Sequence, residues 1–144
     1  MRLAACRGST RFRAAVALIL IAGSLGGCAA LELKERELLF RPTREAAGWY
    51  SGMPDGVREI YVPVGAPDAG ERIHAWWWPA DDPGAPVVYY LYGVRWNLTG
   101  QLNRMSQLRR FGFSVFAIDY RGFGKSDGEL PSEASVYEDA HAGW

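Results

Sequence analysis

The sequence predicts an α/β fold, and three observations predict it. Two apolar runs, residues 87–92 and 113–118, are continuous rather than alternating, the pattern of strands in a parallel sheet covered on both faces. Between them Leu98, Leu102, Met105, Leu108 and Phe111 recur at three- and four-residue steps, as the buried stripe of a helix does. Upstream, two β-like runs separated by turn residues read as an antiparallel hairpin.

Taken in order, the chain opens on Arg2, Arg7, Arg11 and Arg13 without an acid, followed by an uncharged stretch over residues 14–25 rich in Ala, Leu and Ile. A basic segment followed by an apolar one is the layout of an export signal. At about a dozen residues the stretch falls short of the roughly 20 that a bilayer-spanning helix needs. Residues 1–27 are therefore read as a signal peptide, residues 28–55 as a tether and lead-in, and residues 56–144 as the domain.

The lead-in is charged and helix-permissive until Pro42 and the cluster at residues 48–52 interrupt it. Val57, Ile60, Val62 and Val64 mark the first strand. In the second, Ile73, Ala75 and Trp77 alternate with His74, Trp76 and Trp78, and residues 65–70 form the turn between the two. A further turn at residues 81–86 leads into the strand, helix, strand succession, which is right-handed by strong precedent, with Gly112 ending the helix. After a Gly-rich loop at residues 120–130, Pro131 and the spacing Ser135-Val136-Tyr137-Glu138 predict a capping box that starts one more helix.

At 144 residues and 49% hydrophobic content the chain has room for one packed domain. The balance of 16 basic and 16 acidic residues turns mildly acidic once the four arginines of residues 1–27 are set aside. A dense basic stripe, the footprint of a nucleic-acid binder, is absent, so no nucleic-acid partner is expected. Cys6 falls in the export segment, which leaves Cys28 as the one thiol and excludes an intrachain disulfide after processing. No metal site and no cofactor is expected.

Three motifs overlap in residues 122–128. Gly124-Lys125-Ser126-Asp127-Gly128 matches the G-x-S-x-G nucleophile elbow in form, but an elbow needs a strand running into its first Gly and a helix just after the Ser. Here the strand ends near Asp119 and Pro131 delays the helix, so Ser126 is not read as a nucleophile. A phosphate loop through Lys125 and Ser126 would need Gly at position 119, where Asp119 opposes a phosphate. A dinucleotide fingerprint from Gly122 fails at Asp127. Trp76, Trp77 and Trp78 alternate faces on a strand and make no single platform. His74 and His141 are not read as catalytic bases, and the sequon Asn97-Leu98-Thr99 at a helix start is read as chance.

Asp119-Tyr120-Arg121-Gly122-Phe123-Gly124-Lys125-Ser126 resembles, at every fixed place, a structural signature of α/β hydrolases in which a strand ends in Asp-Tyr-Arg-Gly-x-Gly-x-Ser. Leu25-Gly26-Gly27-Cys28 resembles the bacterial lipobox. Together they make the chain similar to the N-terminal part of a bacterial lipoprotein of the α/β-hydrolase family, over roughly residues 57–144 for the fold. The resemblance implies that Tyr92-Gly93-Val94 stands where the family has His-Gly-x, with the Val94 N–H as one oxyanion-hole donor. It also implies that Asp119, Arg121, Gly122, Gly124 and Ser126 form a structural loop; on physical grounds Asp119 and Arg121 are expected to pair and hold it.

In the family's chain order the nucleophilic Ser, the acid and the His come later, so no catalytic residue is expected within these 144 residues and the sheet is expected to be incomplete. The strand at residues 87–92 would then present a bare edge. The implied function is a serine hydrolase of esterase, lipase or peptidase type, acting on the acyl carbonyl of a small molecule or peptide and inactive in this form. Acyl chains on Cys28 would anchor it to a membrane. Ala29 in place of Asp points to the outer membrane, facing the periplasm. The alternative is a non-catalytic membrane-tethered binding lipoprotein, using the open edge or the Trp-rich hairpin.

Overall fold

The structure, a computed structural model, describes residues 8–66 and 70–144, without the side chains of residues 8–11 and 19–26. Arg2, Arg7 and the middle of the hairpin turn lie outside the described residues, and of the apolar stretch only residues 14–18 are described with their side chains. The chain divides into two compact units, residues 1–35 and 36–144.

Helix α1 (Gly8–Leu39) supplies the described part of the first unit and ends in the second. Residues 29–39 are almost all Ala, Leu, Glu, Lys and Arg, the strongest helix formers, and Pro42 disfavours helical backbone at the residue before it. Cys28 is free and exposed. Among the described residues no helix is long and apolar enough to cross a membrane. From Arg36 onward the segment read as tether and lead-in packs with the sheet unit, burying Phe40 and Ala47.

The second unit is built on a four-stranded sheet: β1 (Arg58–Pro63), β2 (Arg72–Trp78), β3 (Val87–Tyr90) and β4 (Ser114–Ile118), in the order β1-β2-β4-β3. The predicted hairpin forms with Ile60 opposite Ala75, and β2 pairs antiparallel with β4, Ala75 opposite Ile118. β3 runs parallel to β4, joined to it through α2 (Leu98–Arg110) as a β-α-β unit. β3 lies at the sheet's edge, with Val87 exposed. Ile73, Ala75, Trp76, Leu98, Met105, Val115, Ala117, Ile118 and Phe123 form the core. Each larger one among them contributes about 1.5–3 kcal/mol by leaving water. β2 is buried on both faces over residues 73–76; Trp76 is buried, whereas Trp78 on its face and Trp77 on the other are half-buried toward the strand's end.

Asn97 caps α2: its side chain accepts from the Thr99 N–H and donates to the carbonyls of Thr43 and Glu45. The helix ends where Gly112 adopts φ 91° and the Phe113 N–H reaches back to the Leu108 carbonyl, a left-handed cap that favours glycine.

Helix α3 (Glu133–Gly143) corrects the expected capping box. The N-cap is Ser132, not Ser135; the Ser135 N–H donates to the Ser132 hydroxyl and the Ser135 hydroxyl accepts from the Ser132 N–H. A serine at the third helical position does what Glu does in the usual box, so the earlier of two overlapping spacings wins, and Glu138 is released to meet Arg121. Ser132→Ala is expected to lower stability by about 1 kcal/mol in urea unfolding, the usual cost of losing such a cap.

Candidate functional site

At the end of β4 the Asp119 N–H bonds the His74 carbonyl at 2.8 Å, extending the β2–β4 ladder by one residue and turning the Asp119 side chain inward. Asp119 is 2% exposed. Its Oδ1 accepts from the Tyr92 hydroxyl at 2.6 Å and from the Leu98 N–H, in the first turn of α2, at 2.8 Å. Its Oδ2 lies 3.1 Å from His74 Nδ1. One carboxylate thus joins the loop after β3, the start of α2 and strand β2. An anion at a helix N-terminus is favoured both by the unpaired N–H groups and by the helix dipole.

Tyr92 explains why β3 stops at Tyr90 although the apolar run continues to position 92. Its ring is buried against Tyr120 and Phe123, and its hydroxyl is drawn to Asp119, so the backbone leaves the strand path. Burial, with Asp119 beside it, pushes the Tyr92 phenol well above its ordinary range, so it stays a neutral donor. Gly93 and Val94 follow at the surface, Val94 exposed.

The predicted Asp119–Arg121 pair does not form. Arg121 instead donates through Nε to Asp139 at 2.8 Å and through its terminal nitrogens to Glu71 and Glu138, while its own N–H meets Asp139 at 2.7 Å. The reason is supply of partners: the buried Asp119 carboxylate faces Tyr92, Leu98 and His74, whereas α3 presents two carboxylates to Arg121. Burial raises the Asp139 carboxyl and the Arg121 guanidinium opposes that rise. Arg121 still holds the loop, to α3 rather than to Asp119.

Ser126, His74 and Asp119 come together in one buried spot, yet they are not wired as a triad. The Ser126 hydroxyl accepts from the His74 backbone N–H at 2.8 Å and donates to the Asp119 carbonyl at 2.6 Å. Both ring nitrogens of His74 face carboxylates, Nδ1 toward Asp119 and Nε2 toward Glu59 at 3.0 Å, so neither serves the hydroxyl. Glu59 in turn pairs with Lys125, whose hydrogen bond holds the carboxyl below its usual range. At 1% exposure Ser126 has no path for a substrate. Ser126→Ala is expected to destabilise by about 1–3 kcal/mol, because the buried His74 N–H loses its acceptor; urea unfolding monitored by near-UV dichroism measures it.

Gly122 and Gly124 have φ of 82° and 50°, and each packs too closely for a side chain: a Cβ on Gly124 would lie 2.2 Å from Asp119 Oδ2. Neither position therefore has room for a side chain. His141 is exposed in the last turn of α3. Asn97, a sequon in form, is 2% exposed and spent as a cap. The capping role was open to sequence reasoning, since Asn stands directly before the first residue of the apolar stripe. Among the described residues no group of three or more His, Cys, Asp or Glu side chains is placed to hold a metal ion.

A buried aspartate at the end of a central strand, tied to the loop after its parallel neighbour, is an arrangement found at the C-terminal edge of an α/β sheet, where sites are built. Comparison with known proteins places the fold. An esterase from Pyrococcus furiosus superposes with a TM-score of 0.53 at 21% identity, over 73% of this chain and 39% of that one. An α/β hydrolase from Vibrio vulnificus gives 0.50 at 23% identity, over 62% of this chain and 29% of that one. The fold is that of the α/β hydrolases, matched over part of those larger chains.

In sequence, 77 residues are 32% identical to the uncharacterized protein YfhR of Escherichia coli K12, covering 51% of this chain and 27% of that protein. Another match, 35% over 75 residues, is to the human protein ABHD12B, covering 51% of this chain and 20% of that protein. The chain thus spans about a quarter of the length of the curated relatives it matches. No protein-family model matches it.

Proposed function

We propose that this chain carries the oxyanion-loop side of an α/β-fold serine hydrolase acting on an acyl carbonyl, in the manner of an esterase, lipase or peptidase. The observation that carries the reading is the Tyr92–Asp119 hydrogen bond. It anchors the loop after β3 where the family's His-Gly-x stands, so that Tyr in place of His still fixes Gly93 and Val94 at the sheet's C-terminal edge. The Val94 N–H then serves as one donor to the developing oxyanion; its partner is the N–H after a nucleophile that these 144 residues do not supply.

In this proposal the 144 residues are the N-terminal part of the hydrolase domain and are inactive alone. Ser126, the one serine in an elbow-like motif, is sealed by two backbone bonds. Reading the coding DNA beyond Trp144 in all three frames tests this. An apolar strand entering G-x-S-x-G, with a late His, supports the hydrolase; none of these in any frame sinks it. The chain is further proposed to be exported by residues 1–27, lipidated on Cys28 and held at the outer membrane facing the periplasm. Labelling by an alkyne fatty acid in a bacterial host that is abolished by Cys28→Ala is the expected outcome, and labelling that survives the substitution opposes it.

A second reading, a non-catalytic membrane-tethered binding lipoprotein, draws support from the edge position of β3 and from an apolar hollow of about 470 Å³ lined by Trp77, Tyr89, Phe116 and Trp144. The same DNA reading separates the two.

A further inference from the structure

Beside the loop just described, Arg41 and Arg95 are brought together by an isolated parallel bridge between their backbones. With Thr43 and Trp96 they line a hollow of about 160 Å³ in which no acidic side chain takes part. Both arginines are exposed, on a domain that is otherwise mildly acidic.

The backbone that carries them is fixed. The Thr43 carbonyl accepts from the Gly124 N–H at 2.9 Å and from Asn97 Nδ2 at 3.0 Å, which pins the Arg41 side. Arg95 sits between the Tyr92 anchor and the Asn97 cap.

Trp96 makes the place unusual. It is the one non-glycine residue among the described residues with a left-handed backbone, φ 65°, a conformation that costs an L-residue about 1–2 kcal/mol. Gly100 leaves room for it: a Cβ there would lie 2.8 Å from that of Trp96. The strain holds a large apolar ring at the surface, 43% exposed, with Trp49, 57% exposed, packed edge-on at 4.8 Å. Strain of this kind persists where surrounding structure over-determines it, and it clusters at ligand clamps.

We propose that this hollow binds a phosphate-type oxyanion bearing an apolar arm, the two guanidinium groups holding the anion and the Trp49–Trp96 pair the arm. One guanidinium fork satisfies a planar carboxylate; two forks from separate segments suit a tetrahedral anion with three free oxygens and up to two negative charges. The Thr43 hydroxyl, whose bond to the Arg41 carbonyl is long at 3.3 Å, supplies a further donor. The hollow is smaller than the roughly 300–1,000 Å³ of drug-sized sites, so the anion fills it and the arm lies along the indoles. Because both segments are already ordered, little entropy is lost on binding. The proposal requires no hydrolysis and stands or falls apart from the hydrolase reading.

Titration of the ¹⁵N-labelled full chain with inorganic phosphate, hexyl phosphate and hexanol, followed on indole and arginine side-chain N–H signals, tests it. Hexyl phosphate is expected to shift Trp49, Trp96, Arg41 and Arg95 saturably and more tightly than phosphate, with hexanol inert. Arg41→Gln and Arg95→Gln are each expected to weaken binding about tenfold, the scale of one charge-assisted hydrogen bond. Arg104→Gln, on an exposed face of α2, leaves it unchanged. Co-sedimentation with phosphatidic acid vesicles against phosphatidylcholine vesicles separates the sources of the anion: capture by the first alone points to a lipid headgroup, and no capture, with hexyl phosphate bound, to a soluble ester. Non-saturable shifts, equal weakening by Arg104→Gln, or binding that survives the Arg41→Gln/Arg95→Gln double variant overturns the proposal, and dispersed amide spectra of each variant establish that it is folded.

Discussion

Asp119→Ala is expected to cost about 3–5 kcal/mol of stability, the scale of breaking a buried, hydrogen-bonded charge cluster from one side. The substitution removes one carboxylate and strands three groups at once: the Tyr92 hydroxyl, the Leu98 N–H and the His74 ring. None of the three has an easy route to water, since Tyr92, Leu98 and His74 are 6%, 0% and 2% exposed. Each buried group left without its partner costs about 1–3 kcal/mol. Asp119→Asn keeps an oxygen for Tyr92 and Leu98 but turns an N–H₂ toward His74, so it is expected to recover part of the loss.

Tyr92→Phe removes one bond and is expected to cost about 1–2 kcal/mol. Combined with Asp119→Ala it is expected to cost less than the sum, since the two residues share an interaction. Urea unfolding gives the energies. Hydrogen exchange at residues 92–98 reports whether the loop has come loose, as the hub position of Asp119 requires.

Gly122→Ala is expected to lose about 3 kcal/mol or more, from a left-handed backbone that only glycine adopts freely and from a backbone collision. Its φ is 82°, and an added Cβ would lie 2.0 Å from the Glu129 carbonyl oxygen. Gly128→Ala is the matched control. Its φ is 77°, but the nearest atoms belong to the Arg121 side chain, at 3.2 Å, so it bears mainly the conformational cost of about 1–2 kcal/mol. Denaturant midpoints of the pair separate the collision from the backbone preference.

The architecture was legible because it rests on local pattern. The alternation over residues 71–78, the continuous runs on either side of α2 and the stripe from Leu98 to Phe111 each carry their own period, and the strands and helix appear within a few residues of where it puts them. The end of the strand ahead of the Gly-rich loop was legible too, and β4 stops at Ile118, eight residues before Ser126.

What stayed hidden is the wiring. Tyr92 and Asp119 are 27 residues apart, and Arg121 and Asp139 are 18 apart; both pairs depend on which segments the fold sets side by side. Arg121 and Asp119 look like natural partners two residues apart, until the fold supplies Asp119 with three donors and Arg121 with two carboxylates from α3. The start of α3 is ambiguous in the sequence because two serine spacings overlap and only one can seat the N-cap. The left-handed Trp96 has no sequence signal, since Trp is among the residues least expected there.

The role assigned to Ser126 has the sharpest chemical consequence. Intact-mass analysis of the folded 144-residue chain after exposure to a fluorophosphonate, which modifies activated serines, is expected to show the unmodified mass, because the Ser126 hydroxyl is buried, bonded to backbone on both sides and without a histidine ring nitrogen to take its proton. An adduct mapped to Ser126 and lost in Ser126→Ala would contradict that role and restore the serine as a nucleophile.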